Sequence, residues 1–561
     1  MSLSGNSSPP RPTLSRLGAW VAATGPDSLG AETLRAARYE LADMVAAAHA
    51  SGRMPACRAV ETAVRATAGA GGRSTVIASG EKLPPIEAAQ VNAAYSMAQD
   101  FDAIVWMGHT CHSAVFAALA VAEHEGASSA EMLTAIVVAN EIGGRLGASC
   151  FFGPLNGQMW SFVHLVGAAA ATAKLLRLDA ERTAHAMAIS LAQPNFPLHP
   201  GFFHPKSKLL TAATPLGIGI RAAYLAREGV TGALDILEDK RGFWHRFAFR
   251  PLPEMLDGLG ELWLTETLSV KTYPGCFFFQ TTCSAMAELL RRHPRLELED
   301  VTDVLVETTK LGTEVTRAAA QYPGDKLSSI SIGFDLALTV AVMLEAGRLT
   351  SQEHEEAWLA EHTAGILRWR ERIQVTHDPS LTVRMQASSR GIPAARKALS
   401  ALGVGDLVRL AARYRADNRA SLFTAKDVVS SFRAARQHAA APPPDAEHVR
   451  RSPSAIPLYF PGRVTLRFRD GRRDSVQVDL PVGTFAAPHV EREVREKFLR
   501  ESEPALGAPR AETAFAACLA LEATTPGELA RLAAKSPPMT KATFQGGECA
   551  TLTGPCDSSS G

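Results

Sequence analysis

Residues Ala114–Ala122 contain no charged or polar side chain, and they follow directly on a cluster of carboxylates and imidazoles. A helix that is apolar on every side has to be buried in a large protein. The segment Tyr95–Glu123 (YSMAQDFDAIVWMGHTCHSAVFAALAVAE) therefore fastens Asp100, Asp102, His109 and His112 to the end of a core helix. Charged groups are seldom held at such depth unless they are paired or used in chemistry. This one stretch constrains both the fold and the place where function is expected.

The surrounding pattern is helical. Leu34, Ala37, Leu41, Val45 and Ala48 recur at three and four, which predicts a helix from Ala31. Weaker signals follow over Ala59–Ala68 and, after Pro84-Pro85, over Ile86–Ala98. Ser128 and Glu131 form a capping box for a helix over Ala130–Leu146. Gly167–Leu176 and Ala180–Leu191 continue the series, with small residues that permit close helix contact. The character changes after about residue 265. Val301–Thr308 and Ile373–Thr376 read as strands, and Ser331–Leu344 as a helix. Val464, Leu466 and Phe468, then Asp470-Gly471, then Val476, Val478 and Leu480 predict a β-hairpin.

The expected fold is α plus α+β: a large all-helical domain over 13–265 and a smaller α+β lid domain over 266–490. Residues 491–540 return to helix. Residues 385–456 look inserted, with helical patches at Ala394–Leu402 and Ala425–His438 and a linker at Ala439–Ser454. Residues 1–12 and 541–561 read as tails. A chain of 561 residues exceeds one ordinary core, in keeping with several domains.

Lys+Arg is 58 against Asp+Glu 57, which lacks the basic excess of a nucleic-acid binder. Eight scattered cysteines form no CxxC pair and suit a reducing compartment. Without an apolar leader or a run long enough to span a bilayer, the expectation is a soluble cytoplasmic protein. Walker, GxGxxG and GxSxG motifs are missing, so nucleotide and serine-hydrolase readings have no support. The spacing of His109 and His112 is compatible with a metal, but no HExxH or further His/Cys pair accompanies it, and no metal is expected. A histidine beside carboxylates suits general acid–base work near neutral pH. Lys206, Lys208 and His204, in HPKSKLL, suggest an anion site, and Lys271 precedes a Pro-Gly turn.

In order along the chain, DFDA at 100–103 with its His and AALAVAE helix, AEMLTAIVVANEIGGRLG at 130–147, VGAAAATAKLLRLD at 166–179, SKLLTAATPLGIGIRAAYLAREGVTG at 207–232 and KTYPGC at 271–276 resemble the MmgE/PrpD superfamily. IQVTHDPSLT at 373–382 and FPGRVTLRFRDGRR at 460–473 resemble its lid strands. The resemblance implies a homodimer, no cofactor, and an active site between the two domains. It assigns Asp100, His109, Lys208 and Lys271 to catalytic positions and Asp102 to a second acidic position. Gln158 and Gln280 stand where the family has histidines, Cys276 at a His or Cys position, and Phe334 where it has a tyrosine. Ala103 and Ile104 replace its usual continuation after the aspartates. Substrate contacts are expected from Asp102, Gln158, Cys276, Gln280, His204 and His112. The functional expectation is a cofactor-independent lyase on a di- or tricarboxylate, with His109 as acid/base oriented by Asp100. Dehydration is the first choice and decarboxylation or epimerisation the alternative. The retained lysines speak against the other alternative, a relative that has lost its chemistry.

Overall fold

The computed structural model describes residues 12–106, 108–154, 160–203, 205–386, 393–418 and 458–536. The tails, the second helical patch and the linker of the inserted segment, Gln158 and His204 lie outside them.

The helical part is built around Cys111–Glu125, of which every residue from Cys111 to Ala122 is buried. It packs against helices Pro85–Met97, Ser129–Ser149 and Phe162–Leu175. Helix Ala31–Ala50 adds a further wall, and the capping box of Ser128 and Glu131 forms as expected. Alanine and glycine set the helix spacing. At Gly219, a Cβ would stand 2.2 Å from the Leu165 carbonyl oxygen, so helices Leu210–Arg227 and Phe162–Leu175 meet backbone to backbone. By length and composition Lys206–Arg227 passes as a membrane span, but 67% of its apolar window is buried in the molecule, which makes it a core helix.

The second region carries a four-stranded sheet in the order Ile373–His377, Val301–Thr308, Gly462–Phe468, Arg473–Val478. The first pair is parallel and the others antiparallel. Val304, Val306, Val464 and Leu466 bury one face together with Leu336, Val340 and Met343. The hairpin turns at Gly471, whose φ of 87° suits glycine. The helix expected over Ser331–Leu344 is instead two, Ser329–Phe334 and Leu336–Ala346. Asp335 breaks it, because its extended backbone and side chain cap the second helix at the Ala337 and Leu338 amides. Within the inserted segment, Pro393–Ser400 is helical, and a helix at Val404–Asn418 had no clear sequence signal. Residues after 490 form Val490–Leu506, Ala508–Leu519 and Pro526–Ala533, which pack back on the helical core.

One small element decides the position of the polar cluster. Ile104–Val105 pairs antiparallel with Leu268–Ser269, in register Ile104↔Ser269 and Val105↔Leu268. Two residues beyond this ladder, Lys271 is thereby set beside Asp100 and Asp102.

Candidate active site

Helix Pro85–Met97 ends just before the aspartates, and Asp100 adopts a left-handed backbone with φ 53°. Aspartate visits this region more readily than most residues, at a cost of roughly 1–2 kcal/mol. The turn is held open by its partners. Lys271 Nζ donates to the Asp100 carbonyl (2.6 Å), to Asp100 Oδ2 (3.0 Å) and to Asp102 Oδ1 (3.0 Å). Lys208, on the short helical turn Lys206–Leu209, donates from Nζ to Asp100 Oδ1 (3.2 Å) and to the Met97 carbonyl (3.1 Å). The chain then reverses: Val105 and Gly108 exchange backbone hydrogen bonds of 3.1 and 3.0 Å, and His109 returns to the aspartates. His109 Nδ1 meets Asp102 Oδ2 at 2.6 Å.

The two carboxylates and two ammonium groups are all buried. Burial by itself pushes both carboxyls up, but the Lys271 ammonium outweighs it. With Lys208 it holds Asp100 below the usual carboxylate range, and with His112 and His109 it holds Asp102 well below. Lys271 is pushed down by burial and raised further by its two aspartates, so it stays charged. Lys208 has one direct carboxylate partner, and burial prevails there, lowering it from the ordinary lysine value.

His109 is the member of this cluster that reaches the surface, with a side chain 12% exposed. Asp102 accepts from Nδ1–H, which fixes the tautomer and leaves Nε2 as the ring nitrogen not engaged by Asp102. The sequence reading gave this orienting role to Asp100. In the structure the carboxylate against His109 Nδ1 is that of Asp102, while Asp100 pairs with Lys208 and Lys271. His112 lies behind, its Nδ1 2.7 Å from Ser96 Oγ and its Nε2 3.2 Å from Asp102 Oδ2 without the alignment of a hydrogen bond. Its ring meets the edge of His164, whose Nδ1 contacts Ser113 Oγ at 3.1 Å. Burial lowers both histidines from the ordinary imidazole value, with Asp102 opposing it.

Asp102, His109 and His112 offer three donor atoms within 4.8 Å of one another, which is enough in number for a metal. Two features suit proton transfer better. Asp102 is already neutralised by Lys271, and a 2.6 Å His–carboxylate contact is a charge-assisted hydrogen bond. Donors that share a zinc ion at about 2.0–2.1 Å each stand further apart than that.

The structure gathers Asp100, Asp102, His109, His112, Lys208 and Lys271 in one cluster. Cys276 is adjacent as a neutral thiol, which burial pushes up to about 12. Phe334 stands with its ring centroid 5.1 Å from Lys208 Nζ, and Phe202 at 5.5 Å, so aromatic faces surround that ammonium. Gln280, expected to touch substrate, is instead a backbone clamp: its Oε1 accepts from the Thr272 and Tyr273 amides and its Nε2 donates to the Tyr273 carbonyl. It fixes the turn after Lys271 because that turn leaves three backbone groups to be satisfied. Gln158 and His204 lie outside the described residues. Sequence reasoning missed His164, three residues before Gly167 on an alanine-rich helix, and His354. His354 is buried, bonded to Ser329 Oγ at 3.0 Å, and close enough to sense the charges of Asp100 and Lys208. The signal for His164 was a single polar residue inside an apolar run, whereas His354, among Gln352, Glu353, Glu355 and Glu356, carried none.

Known protein families match this chain in two parts. Residues 15–254 match the MmgE/PrpD N-terminal domain, and residues 273–438 match the MmgE/PrpD C-terminal domain. The second match takes in most of the segment that the sequence sets apart as inserted. The chain is 28% identical over 350 residues to a cis-aconitate decarboxylase of Aspergillus terreus, across 58% of this chain and 70% of that protein. It is 26% identical over 301 residues to the cis-aconitate decarboxylase-like protein oryM of Aspergillus oryzae, across 49% and 61%. With both domains matched, the chain belongs to the MmgE/PrpD family.

Proposed function

We propose that this protein is a cofactor-independent lyase that decarboxylates a cis-aconitate-like tricarboxylate. The observation that carries the reading is the Asp102–His109 pair beside Lys208 and Lys271: one oriented imidazole next to two buried cations. Lys208 binds a substrate carboxylate, and the fixed charge of Lys271 offsets the negative charge that develops nearby. The bond to the departing carboxylate breaks, its electron pair shifts through the neighbouring double bond, and His109 delivers a proton from Nε2 to the far carbon. Carbon dioxide and a five-carbon dicarboxylate leave. Asp102 steadies the imidazolium before transfer and the neutral ring after it.

Dehydration is the second reading. It requires one group to take the α-proton and another to protonate the departing hydroxyl. Lys208, lowered by burial, is the favoured second acid among the described residues. Phe334 offers no hydroxyl in that role. The test incubates the purified chain separately with cis-aconitate, citrate and 2-methylcitrate, following carbon dioxide release and the absorbance of a new double bond. Carbon dioxide from cis-aconitate supports decarboxylation, double-bond formation from a hydroxy acid supports dehydration, and inertness toward all three removes the proposal.

A further inference from the structure

We propose that Lys497, on the helix Val490–Leu506 that returns from the α+β region, is a positioning residue for the aspartate turn. The inference rests on the reading of that turn as the acid–base centre. Lys497 is 1% exposed and packs against the turn. Its Nζ donates to the Phe101 carbonyl (2.5 Å) and to Asp43 Oδ1 (2.6 Å), and sits 3.9 Å from the centre of the Phe101 ring. Phe101 is the residue between the two working carboxylates. Successive carbonyls of the turn are therefore each gripped by a different buried ammonium, that of Asp100 by Lys271 and that of Phe101 by Lys497.

This grip matters because Asp100 is in the left-handed region and relaxes if released. A turn that relaxes carries Asp102 away from His109, and small misplacements of catalytic groups are costly in rate. The hydrogen bonds of Lys497 among the described residues go to the Phe101 carbonyl and to Asp43, so its action on the turn passes through them. Asp43, on Ala31–Ala50, anchors the other side of the ammonium to the helical core. The last helices of the chain are thereby tied to the chemistry near residue 100.

The test compares full-length wild type with Lys497→Met, Lys497→Arg and Arg145→Met. Arg145 is a buried cation of purely structural partners, Glu141 and the Asp257 and Leu262 carbonyls. The readouts are kcat and KM, melting temperature, and the downfield proton signal of the His109 Nδ1–H···Asp102 bond. Lys497→Met is expected to lower kcat about 10- to 100-fold with little change in KM, and to move or broaden that proton signal. Arg145→Met is expected to lower the melting temperature and leave the signal in place. Where Met at 497 does not fold, Lys497→Arg decides, since it keeps the charge against Asp43 but displaces the ammonium from the Phe101 carbonyl. A folded variant at 497 with kcat within twofold of wild type and an unmoved proton signal overturns the proposal. Wild type inert toward every polycarboxylate overturns the lyase reading alone, because the proton signal still reports on Lys497.

Discussion

His109 Nδ1 and Asp102 Oδ2 stand 2.6 Å apart, while the other oxygen of Asp102 stands 3.0 Å from Lys271 Nζ. One carboxylate thus serves two tasks. It fixes an imidazole tautomer with one oxygen and is itself fixed by a cation with the other. Asp100, two residues earlier, binds both lysines. The division of labour follows from the turn, since the left-handed backbone at Asp100 aims its side chain toward Lys208.

His109→Ala is expected to lower kcat by about 10²–10⁴ with a nearly unchanged melting temperature, because His109 is partly exposed and its loss strands no cation. Asp102→Asn is expected to cost a similar factor by another route. An amide NH₂ facing Nδ1 favours the opposite tautomer and places the proton on Nε2. Steady-state kinetics with cis-aconitate measure both, and near-normal turnover by His109→Ala would strip that residue of its role.

Lys271→Met is expected to be far more damaging to stability than Lys208→Met. Removing Lys271 leaves Asp102 with no cation and Asp100 with one, and an uncompensated buried charge costs about 3–5 kcal/mol. Removing Lys208 leaves Asp100 still paired with Lys271. Urea denaturation of the two variants gives the comparison, and equal midpoints would contradict the asymmetry.

The helices and the main strands were legible because burial imposes periodicity. Ala180–Leu191 and Val301–Thr308 were placed to the residue, and Cys111–Glu125 was evident from its all-apolar run. The two-residue strands Ile104–Val105 and Leu268–Ser269 were not legible, as two residues carry no period. Yet they bring Lys271 to the aspartates across about 170 positions of chain. Which aspartate holds His109 was likewise hidden, because it depends on the φ of Asp100 and not on residue type. Gln280 looked like a substrate contact by its place in a motif, and only the fold shows its amide spent on the Tyr273 turn.

Gly275→Ala is expected to reduce both stability and activity. Gly275 has φ 107°, and a Cβ there would meet the backbone of Gly333 at 3.2 Å. The substitution pushes apart the turn after Lys271 and the segment bearing Phe334, so the lysine loses its register. A melting temperature and kcat both equal to wild type would show that the contact yields without consequence.

Acid is expected to unfold the protein through its centre. Asp100 and Asp102 have folded-state values below those of the unfolded chain, so they add stability above the unfolded value near pH 4. That contribution is lost as pH falls through the lower folded values. The double variant Asp100→Asn/Asp102→Asn is expected to flatten the acid limb of a stability–pH curve, and an unchanged slope below about pH 4 would assign acid lability to other carboxylates.

Glu40 acts with the opposite sign. It is fully buried on Ala31–Ala50, bonded to Asn140 Nδ2 at 2.6 Å, and burial pushes its carboxyl up to about 8 from an ordinary 4.5. Between those values the folded state binds a proton that the unfolded state has released. The stability it contributes is full below the unfolded value and drains away as pH rises to about 8, at about 1.4 kcal/mol per unit before relaxation. Asn140 also accepts from Thr110 Oγ1 at 2.6 Å, so the network ends one residue from His109. Glu40→Gln keeps the shape and removes the titration. It is expected to match wild type near pH 5 and to exceed its stability at pH 9. Parallel denaturation curves at the two pH values decide the matter, and a variant no more stable than wild type at pH 9 would show that Glu40 ionises in place without penalty.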